Sequence, residues 1–275
     1  MDAPQFLAWT GHTDAGRVRP NNEDSFLCLE IDGCEARILG KVGQVVLGRH
    51  DHLFAVSDGM GGAMAGEFAS RIAVEKITRI MPEAFRRARA GLALGHASVL
   101  DRLYAEIHRA LVYLGASYEE CSGMGTTLTL GWITADHLHF AHIGDSRIYH
   151  LPSDPSRRLE QLSDDDTHVG WLFRNGKINE RQARSHPGRN SLQRALGANN
   201  QFVNPQTGSV GLASGDRFLL CTDGLTEGLY DDHINSLIRN PDKHEASEIP
   251  ANRLVQASVA RSGRDNTTAI VLEFQ

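Results

Sequence analysis

The sequence lacks the features that would direct it to a membrane or out of the cell. No apolar run approaches the length of a membrane span, and the first residues carry neither the basic nor the long apolar stretch of a secretory signal. The four cysteines form no CxxC pair and show no zinc-ligand spacing. We therefore expect a cytoplasmic protein with reduced thiols and no membrane association.

Nothing in the sequence divides the chain into parts. It has no Pro- or Ser-rich linker, no low-complexity tract, no block of like charge and no internal repeat. With 275 residues, of which 41% are hydrophobic, it can bury a sizeable core. We therefore predict a single domain over residues 1–275 and expect a monomer. The net charge of -6 argues against nucleic acid as a partner.

Several common catalytic motifs are also missing. A cysteine-dependent phosphatase needs arginine six residues after its cysteine, and no cysteine here has one. There is no GxSxG elbow and no GxxxxGK[ST] phosphate loop. Alternate histidines at 50 and 52, and at 137 and 139, could share a strand face and bind zinc, but two imidazoles alone do not make a zinc site.

What the sequence does contain is a series of short motifs, each built around one aspartate and most of them flanking a strand-like run. The aspartates are Asp24, Asp58, Asp145, Asp223 and Asp265. Each motif alone is compatible with an ordinary turn. Together they indicate carboxylates that the fold gathers from the whole chain. Because clustered carboxylates repel one another unless cations lie between them, the pattern predicts a site for hard divalent metal ions.

Apolar patterning predicts the secondary structure. Strands are predicted at 26–31, 53–56, 126–133, 138–143, 147–151, 217–221 and 267–274. Helices are predicted at 66–81, where Phe68 belongs to the buried face, at 97–114 and at 251–262. Since strands and helices do not alternate, we predict the α+β class, with mostly antiparallel sheets and helices packed outside.

Three connections have their own predictions. Asp145 is expected at the turn of a hairpin between the strands at 138–143 and 147–151. Residues 33–48 are expected to form a hairpin extension. Residues 164–189, a polar stretch with a short helical piece and Gly176, are expected to leave the sheets as an excursion, and such surface segments often carry function.

Taken in order, the motifs resemble those of the metal-dependent protein phosphatases called PPM or PP2C, in their compact bacterial branch. The resemblance covers nearly the whole chain and is carried by residues 13–16, 19–24, 57–62, 123–127, 144–147, 162–165, 194–197, 222–225 and 265–267. It implies a four-layer α-β-β-α sandwich, in which two mostly antiparallel sheets are flanked by helices. Metals would lie in a cleft at one edge, with residues 164–189 as a flap.

The resemblance also implies ligands for two Mg²⁺ or Mn²⁺ ions. Asp58 would bridge both ions, and the Gly59 carbonyl would bind one of them. Asp223 and Asp265 would complete the shell of the first ion. Asp145, together with Asp223, matches the position of a third and weaker ion.

Three further residues complete the implied site. Glu23 and Asp24 would act mainly through metal-bound waters. In an extended segment their side chains point to opposite sides, so at most one of them lies directly in the site unless a bulge or a water intervenes. Arg19, a planar cation suited to gripping phosphate, would bind the phosphate of the substrate.

The implied reaction is hydrolysis of phosphoserine and phosphothreonine by a water shared between two cations, which lower its pKa. Met60 stands where many eukaryotic members carry histidine, so the leaving group would take its proton from a metal-bound water. The implied partners are phosphorylated proteins and a cognate Ser/Thr kinase, and a kinase of a type VI secretion system is one hypothesis. The alternative is a catalytically weak regulator that binds phosphoproteins with the same fold.

Overall fold

The structure is a computed structural model that describes residues 3–32, 35–61, 64–87, 95–198, 203–242 and 245–275. Its strands, numbered in chain order, form two sheets in which every recorded pairing is antiparallel. Helices cover the outer faces of both sheets. The predicted α+β sandwich is therefore confirmed.

The first sheet has six strands. Their order across the sheet is β10 (Glu160–Gln161), β9 (Arg147–Leu151), β13 (Arg217–Cys221), β14 (Thr267–Phe274), β1 (Phe6–Asp14) and β4 (Val42–Val46). The central strands β13 and β14 are buried almost throughout, because helices cover one face and the second sheet covers the other.

The second sheet has eight strands. Six of them follow the order β11 (Leu196–Gly197), β6 (Gly125–Thr126), β5 (Asp51–Met60), β7 (Leu128–Ile133), β8 (His137–Ile143) and β12 (Gln206–Gly211). β2 (Asp24–Ile31) pairs with β5 and with β3 (Ala36–Ile38). The long strand β5 continues through Asp58 to Met60, so Asp58 lies within the strand rather than after it.

The helices of the described chain are α1 (Ala65–Arg87), α2 (His96–Ser117), α3 (His168–Arg174), α4 (Glu180–Ser185), α5 (Asp223–Gly228), α6 (Asp231–Arg239) and α7 (Pro250–Arg261). Short 3-10 turns occur at Glu119–Cys121 and Glu245–Ser247. α1 and α2 pack on the second sheet, whereas α5 and α7 pack on the first and α6 packs on α7. Within the described ranges, no helix has the length and apolar character needed to cross a membrane.

Three apolar cores separate these layers. One lies between the second sheet and α1 and α2, and includes Ile77 and Leu103. Another lies between the two sheets, where Phe54 from the second sheet meets Phe218 from the first. The third, around Leu254, joins the first sheet to α5, α6 and α7. Burial of such side chains contributes about 1.5–3 kcal/mol each, so the sheets form a stable support for residues at their ends.

Two predicted hairpins are wrong. β8 lies in the second sheet and β9 in the first, so residues 144–146 carry the chain from one sheet to the other, with Gly144 at a φ of 115°. The segment at 33–48 likewise splits between sheets, because β3 pairs with β2 whereas β4 pairs with β1. In both cases the sequence indicated that the chain reverses direction, but it did not indicate that the second strand joins the other sheet.

Other predictions differ in detail. Phe68 is 51% exposed, because α1 presents Ala65, Ala69 and Ala73 to the sheet, and these small residues let the helix approach closely. The predicted strand at 126–133 is interrupted at Thr127. Cys28, Cys121 and Cys221 are free thiols. Cys34 and Gly62 lie outside the described residues.

Candidate metal centre between the two sheets

The aspartates singled out in the sequence converge where the two sheets meet. Asp24 of β2 lies directly opposite Asp58 of β5 in the second sheet. On the first sheet, Asp223 begins α5 immediately after β13, and Asp265 shortly precedes β14, the neighbour of β13. Asp145 lies in the crossover between the sheets. We call these five residues the acid centre.

The pKa shifts of the acids show that their carboxyl groups lie close together. Burial raises the pKa of Asp58 well above its ordinary value, and so do the neighbouring carboxylates of Asp24, Asp223, Asp145 and Asp265. Burial also raises the pKa of Asp223 well above its ordinary value, with Asp145 and Asp265 contributing. The acids are thus concentrated at one place, where each carboxylate disfavours the charge of the others.

Asp24 connects the two sheets. Its Oδ2 atom accepts hydrogen bonds from the hydroxyls of Thr222 at 2.8 Å and Thr268 at 2.6 Å, both on the first sheet's side. Burial raises the pKa of Asp24 to about 7, although these two hydroxyls oppose the shift. The two threonines therefore fix the position of an acid that belongs to the other sheet.

Two buried oxygen atoms of the acid centre, Oδ1 of Asp24 and Oδ1 of Asp223, have no hydrogen-bond partner among the described residues. Unsatisfied buried oxygens are costly, and a bound cation would satisfy them while offsetting the repulsion. Carboxylate oxygens are the ligands that Mg²⁺ and Mn²⁺ prefer, so the donor set fits these ions.

The acid centre does not form a complete ligand shell by itself. Over the described ranges, no group of three His, Cys, Asp or Glu side chains is arranged to hold one ion. An ion at this position would therefore need further ligands from backbone carbonyls and water. The Gly59 carbonyl, and waters held by Glu23 and Asp24, would provide them as the resemblance implies.

Glu23 is held by its backbone beside the acid centre. Its N–H donates to Oδ1 of Asn266 at 2.8 Å, and its carbonyl accepts from Ser70 at 2.6 Å and from Gly59 N–H at 3.2 Å. The side chains of Glu23 and Asp24 differ in burial, as neighbours in an extended segment should, because Asp24 is buried and Glu23 is half-buried. Burial raises the pKa of Glu23.

Asn266, in the motif at residues 265–267, is a functional residue that sequence reasoning missed. Its amide nitrogen donates to the carbonyls of Ala15 at 3.0 Å and Asn21 at 2.9 Å, in addition to its bond with Glu23. One side chain from the end of the chain thus holds the segment that carries Arg19 to Asp24. The adjacent Asp-Asn pair was the available signal, but its long-range partners could not be read from the sequence.

Gly59 is required by packing. A Cβ atom there would lie 2.0 Å from the carbonyl oxygen of Gly66, in the first turn of α1. Only glycine lets α1 begin directly against β5. Gly59 therefore allows α1 to start beside Asp58.

Arg19 lies at the rim of the acid centre. Its Nη2 atom forms an ion pair with Asp265 Oδ2 at 2.8 Å, and its side chain is 52% exposed. The guanidinium has five N–H donors, so others are free to bind a ligand while this contact is kept. The predicted phosphate-binding residue and a predicted metal ligand are thus direct neighbours.

A cavity of about 370 Å³ opens beside the acid centre. Its lining includes Asp145 and Asp223, and also residues of α3, α4 and the segment that follows. Nearby, Arg147 forms a two-pronged ion pair with Asp165, at 2.8 Å and 2.6 Å. Burial, with Asp165 contributing, raises the pKa of Asp145 to about 7. The excursion therefore forms one wall of a cleft next to the acids.

Comparison with known proteins agrees with this arrangement. The profile of the family "Protein phosphatase 2C" matches residues 42–258. PstP, a serine/threonine protein phosphatase of Mycobacterium tuberculosis, is 32% identical over 270 residues, which cover 97% of this chain but 45% of that protein. The serine/threonine phosphatase stp of Listeria innocua is 31% identical, covering 95% of this chain and 93% of that one.

Solved structures give the same result. The catalytic domain of PstP in complex with two manganese ions has a TM-score of 0.74 at 30% identity, with 98% of both chains covered. PppA, described as a key regulatory component of the type VI secretion system in Pseudomonas aeruginosa, has a TM-score of 0.72 at 25% identity, with 100% of both covered. The chain belongs to the protein phosphatase 2C family, as its motifs predicted.

Proposed function

We propose that this protein is a metal-dependent protein phosphatase that hydrolyses phosphoserine and phosphothreonine. The observation that carries the proposal is the acid centre, in which both sheets contribute carboxylates and two buried carboxylate oxygens lack a partner within the described part of the chain. The phosphatase names of its relatives support the same activity. Residues 1–275 would act as one domain, with the excursion as a flap and with the monomer as the working unit.

The proposed ligands for two Mg²⁺ or Mn²⁺ ions are Asp58, the Gly59 carbonyl, Asp223 and Asp265. Glu23 and Asp24 would contribute through intervening water, and Asp145 with Asp223 would hold a weaker third ion. Bound ions would lower the pKa of the attacking water and offset charge on the phosphoryl oxygens.

The chain's own groups would orient the substrate and keep the acids in place. Arg19 would bind the phosphate with the donors that Asp265 leaves free. Thr222 and Thr268 would keep Asp24 fixed during turnover. Met60 cannot donate a proton, so we assign protonation of the leaving alkoxide to solvent at the centre.

The proposed substrates are phosphorylated proteins, and the proposed opponent is a Ser/Thr kinase. The likeness to PppA favours a kinase of a type VI secretion system as one candidate. The alternative function, a catalytically weak phosphoprotein-binding regulator, is less well supported, because every acid that the mechanism assigns is present.

Hydrolysis of p-nitrophenyl phosphate with Mn²⁺, with EDTA and with Asp223→Ala tests the proposal. We expect turnover with Mn²⁺, none with EDTA, and none in the variant, which should still fold because it removes a buried repulsive charge. A wild-type protein that stays inert with Mn²⁺ but binds a phosphopeptide would support the regulator instead.

A further inference from the structure

Arg184 joins the excursion to the body of the protein. From α4 its guanidinium donates to the backbone carbonyls of Thr226 and of Leu229, the latter at 2.8 Å. It also pairs with Glu180 of its own helix at 3.0 Å and lies 3.9 Å from the ring centre of Tyr230. The Arg184 side chain is only 21% exposed, whereas that of Glu180 is 44% exposed, so the shielded part of this position is the arginine itself.

The carbonyls that Arg184 binds belong to the C-terminal end of α5. That end of a helix carries unpaired carbonyls and partial negative charge, so a guanidinium is well suited to it. The other end of α5 carries Asp223 of the acid centre. A helix of six residues, about 9 Å long, therefore connects the contact with the excursion to a proposed metal ligand.

A second contact lies beside the first. Arg189, which follows α4, pairs with Glu227 of α5 at 3.2 Å. The Arg189 side chain is 36% exposed, and ion pairs that reach the surface contribute little, about 0–1 kcal/mol. Arg184 differs because it combines two carbonyls, a carboxylate and an aromatic ring in one shielded position, and lysine could not make these contacts together.

The cavity connects these contacts to the acid centre. Its lining includes Ala183, Arg184 and Arg189 as well as Asp145 and Asp223. If α4 moved away from α5, the cavity would lose a wall while the acids kept their own support from the sheets. A small aryl phosphate needs mainly the acids, whereas a phosphoprotein also needs the surrounding wall.

We propose that Arg184 is a positioning residue that holds the excursion on α5 and thereby shapes the cleft for the chain around the phosphorylated residue. This inference rests on the proposed phosphatase function. Arg184 does not act on the phosphate; it sets the discrimination between phosphoproteins and small phosphate esters.

The test compares wild type, Arg184→Ala and Arg184→Lys, with Arg181→Ala, an exposed arginine of the same helix, as the matched control. Hydrogen exchange over residues 177–190 should become about tenfold faster in both Arg184 variants and stay unchanged in the control. The ratio of kcat/KM for a phosphothreonine peptide to that for p-nitrophenyl phosphate should fall by about fivefold or more, mainly through KM.

Unchanged exchange in Arg184→Ala would overturn the inference, and so would wild-type behaviour of Arg184→Lys. Equal losses with both substrates would also overturn it, because they would place the effect of Arg184 on Asp223 rather than on the cleft. If the wild-type protein hydrolyses neither substrate, the proposed function fails, whereas the exchange data still decide whether Arg184 holds the excursion.

Discussion

The acid centre and the excursion lie side by side but are held in different ways. The acid centre draws its residues from strands or strand ends of both sheets, and hydroxyl and amide groups from distant parts of the chain fix it. The excursion consists of short helices fastened by a few arginine contacts, among them those of Arg184 and Arg189.

This difference suggests a division of work. Positions that bind ions need to be fixed, and burial between two packed sheets provides that. A wall that meets varied protein substrates can be less firmly held, and surface segments of low local stability suit that role. Changes in the acid centre should therefore affect all substrates equally, whereas changes in the excursion should affect phosphoproteins most.

The largest effect is expected from Asp58→Asn. Turnover of both a phosphopeptide and p-nitrophenyl phosphate should fall by on the order of 1,000-fold, because the proposed bridging ligand is lost. Asp145→Asn should weaken turnover less, and excess Mn²⁺ should restore part of it. Steady-state kinetics over a Mn²⁺ series measures both.

The melting temperature provides the control for folding. In EDTA, Asp58→Asn should be at least as stable as wild type, because a buried charge among like charges has been removed. Equal losses of activity in the two variants at every Mn²⁺ concentration would contradict the different roles that we assign to Asp58 and Asp145.

The next largest effect is expected from replacing the threonines that hold Asp24. Thr222→Val with Thr268→Val removes both hydroxyl donors to its Oδ2 atom at little change in volume. Because groups that orient ligands typically contribute 10–100-fold to metal affinity, Mn²⁺ affinity should fall by about that factor. Calorimetric titration measures it, with Thr207→Val on β12 as a control. Unchanged affinity would mean that the sheets alone fix Asp24.

A smaller effect is expected from Arg19→Ala, which tests where the acid centre ends. KM for both substrates should rise about tenfold, equivalent to about 1.4 kcal/mol of binding, while Mn²⁺ affinity changes little. Kinetics measures KM and a Mn²⁺ titration measures the metal affinity. Arg71→Ala, which removes an exposed arginine, is the control. Lost Mn²⁺ binding would instead show that Arg19 serves to hold Asp265.

Local patterns predicted the elements better than their connections. The strands at 147–151, 217–221 and 267–274 coincide with β9, β13 and β14, because apolar runs bounded by acids and glycines are strong local signals. The crossover at Asp145 was missed, since a turn within one sheet and a passage between two sheets look the same in sequence. That passage is what brings Asp145 to the other acids.

The sequence predicted which residues form the acid centre but not the contacts that hold them in place. Five aspartates in ordered motifs indicated a common site, and the fold brings them together. The contacts that fix them join residues far apart in the chain, such as Asp24 with Thr268 and Glu23 with Asn266. Nor did any local pattern reveal that Arg184 binds carbonyls at the C-terminal end of α5, the helix that Asp223 begins.

The smallest expected effect is a loss of folding stability at low pH, caused by a buried histidine beneath the acid centre. His142 of β8 is buried, with Nδ1 2.8 Å from the Thr129 hydroxyl and Nε2 3.0 Å from the Gly144 carbonyl, next to Asp145. Burial lowers the pKa of His142 below its ordinary value of 6.5. Below that pH the unfolded chain takes up a proton that the folded chain resists, so this residue should make the protein less stable as pH falls.

Differential scanning fluorimetry at pH 7.0 and pH 5.5 measures this contribution. The melting temperature of wild type should fall by about 2–4 °C more than that of His142→Asn, corresponding to about 1 kcal/mol. Carboxylates with raised pKa values act in the opposite direction, but they are common to both proteins and cancel in the difference. His168→Asn on α3, within the excursion, is the control and should follow wild type. Equal falls in melting temperature for wild type and His142→Asn would show that the support beneath Asp145 tolerates protonation. The acid centre would then be less rigid than its hydrogen bonds suggest.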